Sequence, residues 1–289
     1  MSWSLEILLA LSGSCLRMSA DGRTWEEAVV WLKAQADQAD LVRDCFFDDP
    51  PSRAAERYYE SAEWEAVRKI TGTAGGRALD VGAGLGISSY ALARDHWDVT
   101  ALEPDPSPIV GAAAIERLAT NSNLPIAVVG DWGEALPFPD ASFDLVYGRQ
   151  VLHHARDLPM LCAEMARVLK PDGTFLATRE HVIFKDGDLA VFLDEHPLHR
   201  LYGGENAYRL DEYKRAIESS GIRITRILNP WASAINLHPR TTTDIGKLIH
   251  ARLPFIPASV FTPSLLSWAG WLLRSPGTNY SFLGVREAR

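Results

Sequence analysis

The stretch ALDVGAGLG, residues 78–86, places three glycines within five positions directly after a short apolar run. This order is typical of a buried strand that turns sharply into a helix, with a loop whose backbone can approach a ligand closely. A loop that binds a dinucleotide has the spacing G-x-G-x-x-G, but here the spacing is G-x-G-x-G and Ile87 occupies the position of the third glycine. Asp80 stands two residues before the first glycine, where its charge would repel a pyrophosphate. The loop therefore predicts a ligand other than a dinucleotide.

Short apolar strands alternate with amphipathic helices from this loop onward. The apolar runs predict seven strands, at 78–81, 99–102, 126–129, 143–147, 174–178, 223–228 and 279–285. Strands that alternate with helices form a mostly parallel sheet covered by helices on both faces. The sequence therefore predicts an α/β fold of the Rossmann-like, doubly wound type, in which ligands bind at the carboxyl ends of the strands.

Two helical regions accompany this pattern. Residues 1–70 predict an N-terminal helical preface, which includes a capping box over Thr24–Glu27. The main domain is predicted over 71–289, with a helical cap insertion at 231–277 before the last strand. Four aromatic residues of the preface either pack one helix on another or form a lid over the ligand; these are Trp25, Tyr58, Tyr59 and Trp64.

The overall composition excludes several classes of protein. Hydrophobic residues make up 47% of the 289 residues, which is enough for a packed core. The formal net charge of -8 would repel a phosphate backbone, so nucleic acid is not an expected partner. The three cysteines are widely spaced and form neither a disulfide framework nor a zinc motif. This usage predicts a reducing, cytoplasmic location.

Asp80 favours a ligand that carries a positive charge beside the loop. S-adenosylmethionine (SAM) is such a ligand, because it has an ammonium group and a sulfonium and no phosphate. Glu103 ends the second predicted strand, where a carboxylate can accept hydrogen bonds from both ribose hydroxyls. Asp131 and Trp132 follow the third strand, where they offer an acceptor for the adenine amino group and a ring that packs on the base. A dehydrogenase that transfers hydride is disfavoured by Ile87 and Asp80.

Four motifs carry a family resemblance. They are LDVGAGLG at 79–86, VTALEPD at 99–105, VVGDWGEALPFPDASFDLVYGRQVLHH at 128–154 and ARVLKPDGTFLATRE at 166–180. Over residues 77 to about 180 the sequence resembles the class I SAM-dependent methyltransferases, in the type-11 branch that includes quinone and other small-molecule methyltransferases. The resemblance implies the fold and the cofactor, SAM, whereas the acceptor differs among such enzymes.

The resemblance also implies roles for individual residues around the cofactor. The backbone at Gly82, Gly84 and Gly86 would lie against the methionine part of SAM, with Asp80 near its ammonium group. Glu103 would bind the ribose and Asp131 the adenine amino group, and Trp132 would pack on the base. Arg149 ends the fourth strand, where relatives contact the methionine part, often with a smaller residue.

Two adjacent histidines are the candidate catalytic residues. His153 and His154 follow the fourth strand, at the end of the sheet where ligands bind. Methyl transfer to a hydroxyl requires alignment with the methyl group and removal of a proton, and a neutral imidazole can accept that proton at pH 7. The alternative interpretation is that both histidines only cap or pack at the start of the next helix.

A second polar cluster follows the fifth strand, in a segment that borders the acceptor site in this fold. The candidate substrate-binding residues are His181, His196, His199 and Tyr202. A metal site is an alternative, since His196 and His199 have helical ligand spacing and Asp194 and Glu195 lie nearby. Pro197 interrupts a regular helix there and methyl transfer in this family needs no metal, so the sequence predicts none.

Residues 253–273 contain no charged side chain. Prolines exclude one continuous membrane-spanning helix, and the segment instead predicts a short helix that begins at Pro263 with Thr262 as its cap. Its apolar stripe either packs on the domain, forms a lid over an apolar acceptor or contacts a membrane surface, and consists of Leu265, Trp268, Ala269, Leu272 and Leu273. We predict that the insertion at 231–277 covers the acceptor pocket.

Together these features predict a SAM-dependent methyltransferase that acts on a small or lipid-like acceptor, at a hydroxyl oxygen. The nearest alternative is methylation at carbon in a quinone-type or polyketide-type ring. The alternative from another class is a non-catalytic protein of the same fold that acts as an assembly partner. With a lipid-like acceptor we also expect peripheral membrane contact through residues 253–273.

Overall fold

The computed structural model describes residues 22–73, 75–252, 254–255, 257, 260–272 and 274–288. The first 21 residues of the predicted preface lie outside the described residues, as do Leu253, Ile256 and Leu273 of the uncharged segment.

The N-terminal helices begin with the capping box that the sequence predicts. The backbone N–H of Glu27 donates to Thr24 Oγ1 at 3.3 Å, and the N–H of Thr24 donates to Glu27 Oε2 at 2.8 Å. These two bonds satisfy N–H groups that a helix start leaves without partners. Within the described residues, four α-helices precede the sheet: α1 (Trp25–Lys33), α2 (Ala39–Asp44), α3 (Pro51–Tyr59) and α4 (Ala62–Thr71).

The described residues form an eight-stranded sheet with the order β3-β2-β1-β4-β5-β8-β7, and β6 pairs with β5 outside this path. The last strand, β8, is antiparallel to both of its neighbours, and the other pairs are parallel. The strands are β1 (Arg77–Val81), β2 (Asp98–Leu102), β3 (Ile126–Val129), β4 (Phe143–Arg149), β5 (Leu169–Ile183), β6 (Tyr208–Arg209), β7 (Ile222–Leu228) and β8 (Thr278–Arg286).

Helices cover both faces of the sheet, as the alternating pattern predicts. The α-helices that follow the first strand are α5 (Ile87–Arg94), α6 (Ala112–Ser122), α7 (Leu158–Val168), α8 (Asp188–Glu195), α9 (Pro197–Tyr202), α10 (Leu210–Ser219), α11 (Ala234–Leu237), α12 (Thr242–Arg252) and α13 (Pro263–Gly270). Helices α7 and α10 pack on one face, and α3, α4 and α5 pack on the other.

The observed sheet differs from the prediction of seven strands in two places. Strand β5 runs over 15 residues, because the chain re-pairs with β4 on both sides of the irregularity at Pro171–Gly173 rather than ending there. Asp172 has a φ of 60°, which bends the strand without terminating it. The extension of β5 to Ile183 then gives the two-residue strand β6 a partner.

The helical preface packs into the core of the main domain. Tyr58 and Trp64 are fully buried, and the Tyr58 hydroxyl lies 3.2 Å from the Tyr147 hydroxyl on β4. Trp64 Nε1 donates to Asp95 at 2.8 Å, and Tyr59 donates to the same carboxylate at 3.1 Å. The contacts of Tyr58, Tyr59 and Trp64 therefore support packing of one helix on another rather than a lid over the ligand.

The insertion at 231–277 forms its own small apolar cluster, which includes Leu237, Ile245 and Leu266. Helix α13 begins at Pro263, and the Thr262 side chain caps it as predicted. Its apolar stripe is largely exposed: 63% of Trp268 and 66% of Leu272 are accessible. Among the described residues, no helix has the length and apolar character needed to cross a membrane.

Candidate active site

The glycine loop joins β1 to α5 in a conformation that requires its glycines. Gly82, Gly84 and Gly86 all have positive φ angles, of 62°, 55° and 78°. A Cβ atom at Gly82 would lie 2.4 Å from Val151 Cγ2, so the loop also packs closely against the segment after β4. A Cβ atom at Gly84 would meet nothing within 4 Å. The backbone at Gly84 is therefore open to a ligand.

A cavity of about 560 Å³ lies at the carboxyl ends of the parallel strands. This volume is typical of a site for a small-molecule ligand. Most of the residues that the sequence predicts for the site line it, namely Gly82, Gly84, Glu103, Trp132, Arg149, His153, His154, His181, His196 and Tyr202.

The other predicted residues lie just outside this lining. Asp80 is fully buried beneath the loop, where Oδ2 accepts hydrogen bonds from Ser88 and Ser89 while Oδ1 has no partner. Burial raises the pKa of Asp80 to about 6. Gly86 caps α5, and Asp131 accepts a 2.8 Å bond from the backbone of its neighbour Trp132.

Glu103 connects the second strand to the glycine loop. Its Oε2 accepts a hydrogen bond from the backbone N–H of Gly84 at 2.7 Å, and its Oε1 accepts one from Asp105 at 2.9 Å. Each oxygen keeps a lone pair for a ligand hydroxyl. Burial raises the pKa of this carboxyl, whereas the two backbone donors lower it.

This end of the cavity fits SAM. The exposed backbone at Gly84 leaves room for a ligand where any side chain would project, and Glu103 beside it offers acceptors to ribose hydroxyls. Trp132 lines the same region, with the Arg156 guanidinium 3.8 Å from its ring centroid. Glu103 would hold the ribose of the cofactor, the backbone at Gly84 would lie against its methionine part, and Trp132 would pack on its base.

Arg149 does not extend freely toward the predicted methionine position. Its Nε and Nη2 donate to the two carboxylate oxygens of Glu63 on α4, at 2.7 and 3.2 Å. Glu63 is fully buried; burial acts to raise its pKa, but Arg149 and Arg179 outweigh that effect and hold the pKa below its ordinary value. Arg149 lines the cavity, but its guanidinium is engaged in a buried ion pair between α4 and β4.

His153 forms a buried pair with Glu180. Its Nδ1 lies 2.6 Å from Glu180 Oε2, and the same carboxylate accepts backbone hydrogen bonds from Val151 and His153. Burial, followed by the neighbours His154 and His196, lowers the pKa of His153 well below its usual value. Burial also raises the pKa of Glu180 to about 7. His153 is therefore neutral at pH 7 and is held in one orientation.

The second polar cluster surrounds Glu205 on the opposite side of His153. The Tyr202 hydroxyl donates to Glu205 Oε1 at 2.9 Å, and the rings of His153 and His181 lie 4.7 Å apart. His196 lies with His181 and Glu205 in one group of side chains. His199 is not part of the cavity lining; its backbone N–H donates to His196 Nδ1 at 3.3 Å.

The sequence did not indicate the roles of Glu180 and Glu205. Glu180 follows a β-bulge at Arg179, which has a φ of 62°, and the bulge redirects the end of β5. A charged residue at the end of an apolar strand was the available signal for Glu180. Glu205 lies in the polar segment after β5, and only the tertiary fold brings it to the histidines.

The prediction that the insertion at 231–277 covers the acceptor pocket is wrong for the described residues. Among the described residues of 231–277, none lines the cavity. The cover instead comes from the N-terminal helices and α9, through Trp25, Leu41, Phe47 and Leu198. The Trp25 ring contacts the Tyr202 ring with centroids 4.7 Å apart and planes tilted by 54°. The lid alternative therefore applies to Trp25.

Comparison with known proteins agrees with this fold. Residues 79–177 match the profile of a family described as a methyltransferase domain. A ubiquinone biosynthesis O-methyltransferase from Sinorhizobium fredii is 29% identical over 186 residues, which cover 62% of this chain and 73% of that protein.

Two solved structures share the fold. The YcgJ protein from Bacillus subtilis aligns with a TM-score of 0.54 and 21% identity, over 78% of this chain and 99% of that chain. Geranyl diphosphate C-methyltransferase from Streptomyces coelicolor A3(2), in complex with Mg²⁺, geranyl-S-thiolodiphosphate and S-adenosyl-L-homocysteine, has a TM-score of 0.59 and 15% identity over 92% of this chain and 99% of that one.

Proposed function

We propose that this chain, which belongs to the SAM-dependent methyltransferase family, transfers a methyl group to the hydroxyl oxygen of a small acceptor with an apolar body. The observation that carries the proposal is the His153–Glu180 pair, whose histidine lines the same cavity as the glycine loop and Glu103. When bound, SAM supplies a methyl group that is already activated by its sulfonium. The protein must then position the acceptor and remove its proton.

His153 is the candidate general base. When Glu180 is ionised, its carboxylate accepts from Nδ1–H, so that Nε2 carries the lone pair and can accept a proton from a hydroxyl in the cavity. The Glu180 carboxylate stabilises the imidazolium that forms, as the acid does in other base–acid pairs. His154 is the alternative base, and its side chain is more exposed, at 37% compared with 1% for His153.

The cover of the cavity supports an acceptor with an apolar body. Trp25 and Phe47 approach edge-on at 5.5 Å, and Leu41 and Leu198 line the same side. Aromatic and aliphatic walls with a few polar groups are typical of sites for apolar ligands. The relatives named as ubiquinone biosynthesis O-methyltransferases support a ring hydroxyl as the acceptor group.

Carbon methylation of a quinone-type or polyketide-type ring is the second candidate. It would use the same base, because a ring carbon becomes nucleophilic when a neighbouring hydroxyl is ionised. NMR of the isolated product distinguishes the two, since a methyl group on oxygen and one on carbon have different shifts.

The proposal is tested with SAM that carries a labelled methyl group and a panel of phenolic and catecholic acceptors with and without an alkyl chain. We expect His153→Gln and Glu180→Gln to lower turnover by about 10²- to 10⁴-fold, the range for losing a general base. SAM affinity, measured by calorimetry, should stay close to that of the parent and so show that the variants are folded.

His199→Gln is the matched control, because it makes the same substitution on α9 outside the cavity lining. We expect it to keep turnover. Full turnover by His153→Gln, by His154→Gln and by the double variant would contradict a histidine base and leave positioning alone as the source of catalysis.

A further inference from the structure

Three polar side chains in the acceptor half of the cavity face one another without hydrogen bonds between them. Glu205 Oε2 lies 3.7 Å from His153 Nε2 and 3.8 Å from His154 Nε2. Both distances are too long for a hydrogen bond. His153 and Glu205 are almost completely buried, whereas the His154 side chain is 37% exposed.

The hydrogen bonds on the far sides of the rings determine which nitrogen carries the proton. His154 Nδ1 lies 3.1 Å from the carbonyl oxygen of Gly204, and a carbonyl oxygen only accepts, so Nδ1 is the donor. His153 Nδ1 faces the Glu180 carboxylate at 2.6 Å in the same way. Nε2 is therefore the nitrogen of each ring that lies on the Glu205 side and is available as a ligand atom.

Both Nε2 atoms and Glu205 Oε2 lie within 4.8 Å of one another. A metal ion placed between them would bond to both nitrogens and to the carboxylate oxygen. A metal ion with bonds of about 2.0–2.2 Å to nitrogen and oxygen holds its ligand atoms roughly 3.4 Å apart in a tetrahedral arrangement. The observed separations exceed that distance by only a few tenths of an ångström.

We propose that His153, His154 and Glu205 bind a divalent transition-metal ion in the acceptor half of the cavity. Two imidazoles and one carboxylate form a ligand set that suits Zn²⁺, Co²⁺ or Fe²⁺ better than Mg²⁺ or Ca²⁺, which prefer oxygen ligands. Glu180 and the Gly204 carbonyl hold the two rings from behind, as outer partners of metal-bound histidines do. The cavity leaves the remaining coordination position open to a ligand.

The metal site that the sequence offers as an alternative involves different residues. His199, Asp194 and Glu195 are not part of either cluster of ligand atoms within 4.8 Å that the described residues form. The second such cluster joins His181 and His196 to the same Glu205. His181 Nδ1 donates to the Gly277 carbonyl at 2.9 Å, so this ring also directs its free Nε2 to the cavity.

The site has a direct consequence for the proposed base. A metal ion on His153 Nε2 occupies the lone pair that would accept the proton of the acceptor. The metal-free and metal-bound forms therefore differ in turnover, although metal binding itself does not depend on His153 acting as a base.

The test is a titration of the chelator-treated, dialysed full-length protein with Co²⁺, followed by visible absorption and then by competition with Zn²⁺. We expect one ion per chain, with the ligand-field bands of a nitrogen- and oxygen-bound Co²⁺ that Zn²⁺ abolishes. Glu205→Gln and His154→Gln should each weaken Co²⁺ binding by about 10²-fold or more. SAM affinity, measured in parallel, reports that both variants are folded.

His96→Asn is the matched control, because His96 lies exposed in the turn before β2, with a positive φ that asparagine tolerates. It should bind Co²⁺ as the parent does.

Absence of the bands in the parent, or identical binding by the folded Glu205→Gln variant, would overturn the site and leave the base proposal intact. Turnover that is the same with and without bound Zn²⁺ would instead reject His153 as the base while the metal site stands.

Discussion

At the scale of single residues, Glu103 links the cofactor to the shape of the loop that binds it. Its two oxygens hold the backbone N–H groups of Gly84 and Asp105, at 2.7 and 2.9 Å. The loop conformation depends on left-handed glycines, which a carboxylate bond to Gly84 stabilises. One side chain thus positions the loop backbone and, in the predicted SAM site, would also offer acceptors to the ribose.

Glu103→Ala should therefore weaken SAM binding. The loss of charge-assisted hydrogen bonds corresponds to ~1 to 3 kcal/mol, or about 5- to 150-fold in affinity. Calorimetric titration with SAM measures it, and Glu116→Ala on the exposed side of α6 is the control with the same change in charge. An unchanged affinity in a folded Glu103→Ala protein would show that the ribose is held elsewhere.

At the scale of elements, a buried ion pair joins the helical preface to the sheet. Glu63 on α4 is 1% exposed and binds Arg149 at the end of β4 through both carboxylate oxygens. Arg179 lies 3.9 Å away and His238 also faces the carboxylate at 3.9 Å. Glu63 is thus the anion that compensates two buried guanidinium groups beside the cavity.

Glu63→Gln should lower the free energy of unfolding by about 3–5 kcal/mol, because it leaves buried positive charge without compensation. Urea unfolding followed by circular dichroism measures the change. The double variant Glu63→Gln/Arg149→Met should recover part of the loss, since it also removes one of the charges. Glu65→Gln, which breaks an exposed pair with Lys69 on the same helix, should have little effect. Equal losses for Glu63→Gln and Glu65→Gln would contradict the assignment.

The elements also show which parts of the fold and of the site the sequence could predict. Strand β1, the capping box of α1 and the start of α13 follow from local periodicity and local hydrogen bonds, and the structure confirms them. The bulge at Arg179 depends on pairing with β8, about 100 residues later, so the orientation of Glu180 could not be predicted. The convergence of His153 with Glu205 likewise depends on contacts distant in sequence.

At the scale of the whole molecule, the cavity and the exposed apolar surface lie on different segments. The N-terminal helices and α9 cover the cavity, whereas most of the exposed large apolar side chains of the described residues belong to the insertion. Phe255 is 77% exposed, and Trp268, Trp271 and Leu272 are between 44% and 66% exposed. Exposed apolar side chains that include tryptophan are typical of surfaces that contact the membrane interface. We therefore propose that this protein uses this surface to approach a bilayer that holds its lipid-like acceptor.

Replacement of two of these side chains should release the protein from vesicles. We expect the protein to sediment with neutral phosphatidylcholine vesicles, and Trp268→Ser/Leu272→Ser to reduce the bound fraction by about tenfold or more, because each buried side chain contributes roughly 1.5–3 kcal/mol. Anionic vesicles should bind less protein than neutral ones, since the net charge of -8 opposes them. Val191→Ser, which removes an exposed apolar side chain on α8, is the control and should bind as the parent does. If neither type of vesicle sediments the parent protein, the surface has another role, while turnover of soluble acceptors still reports on the His153–Glu180 pair.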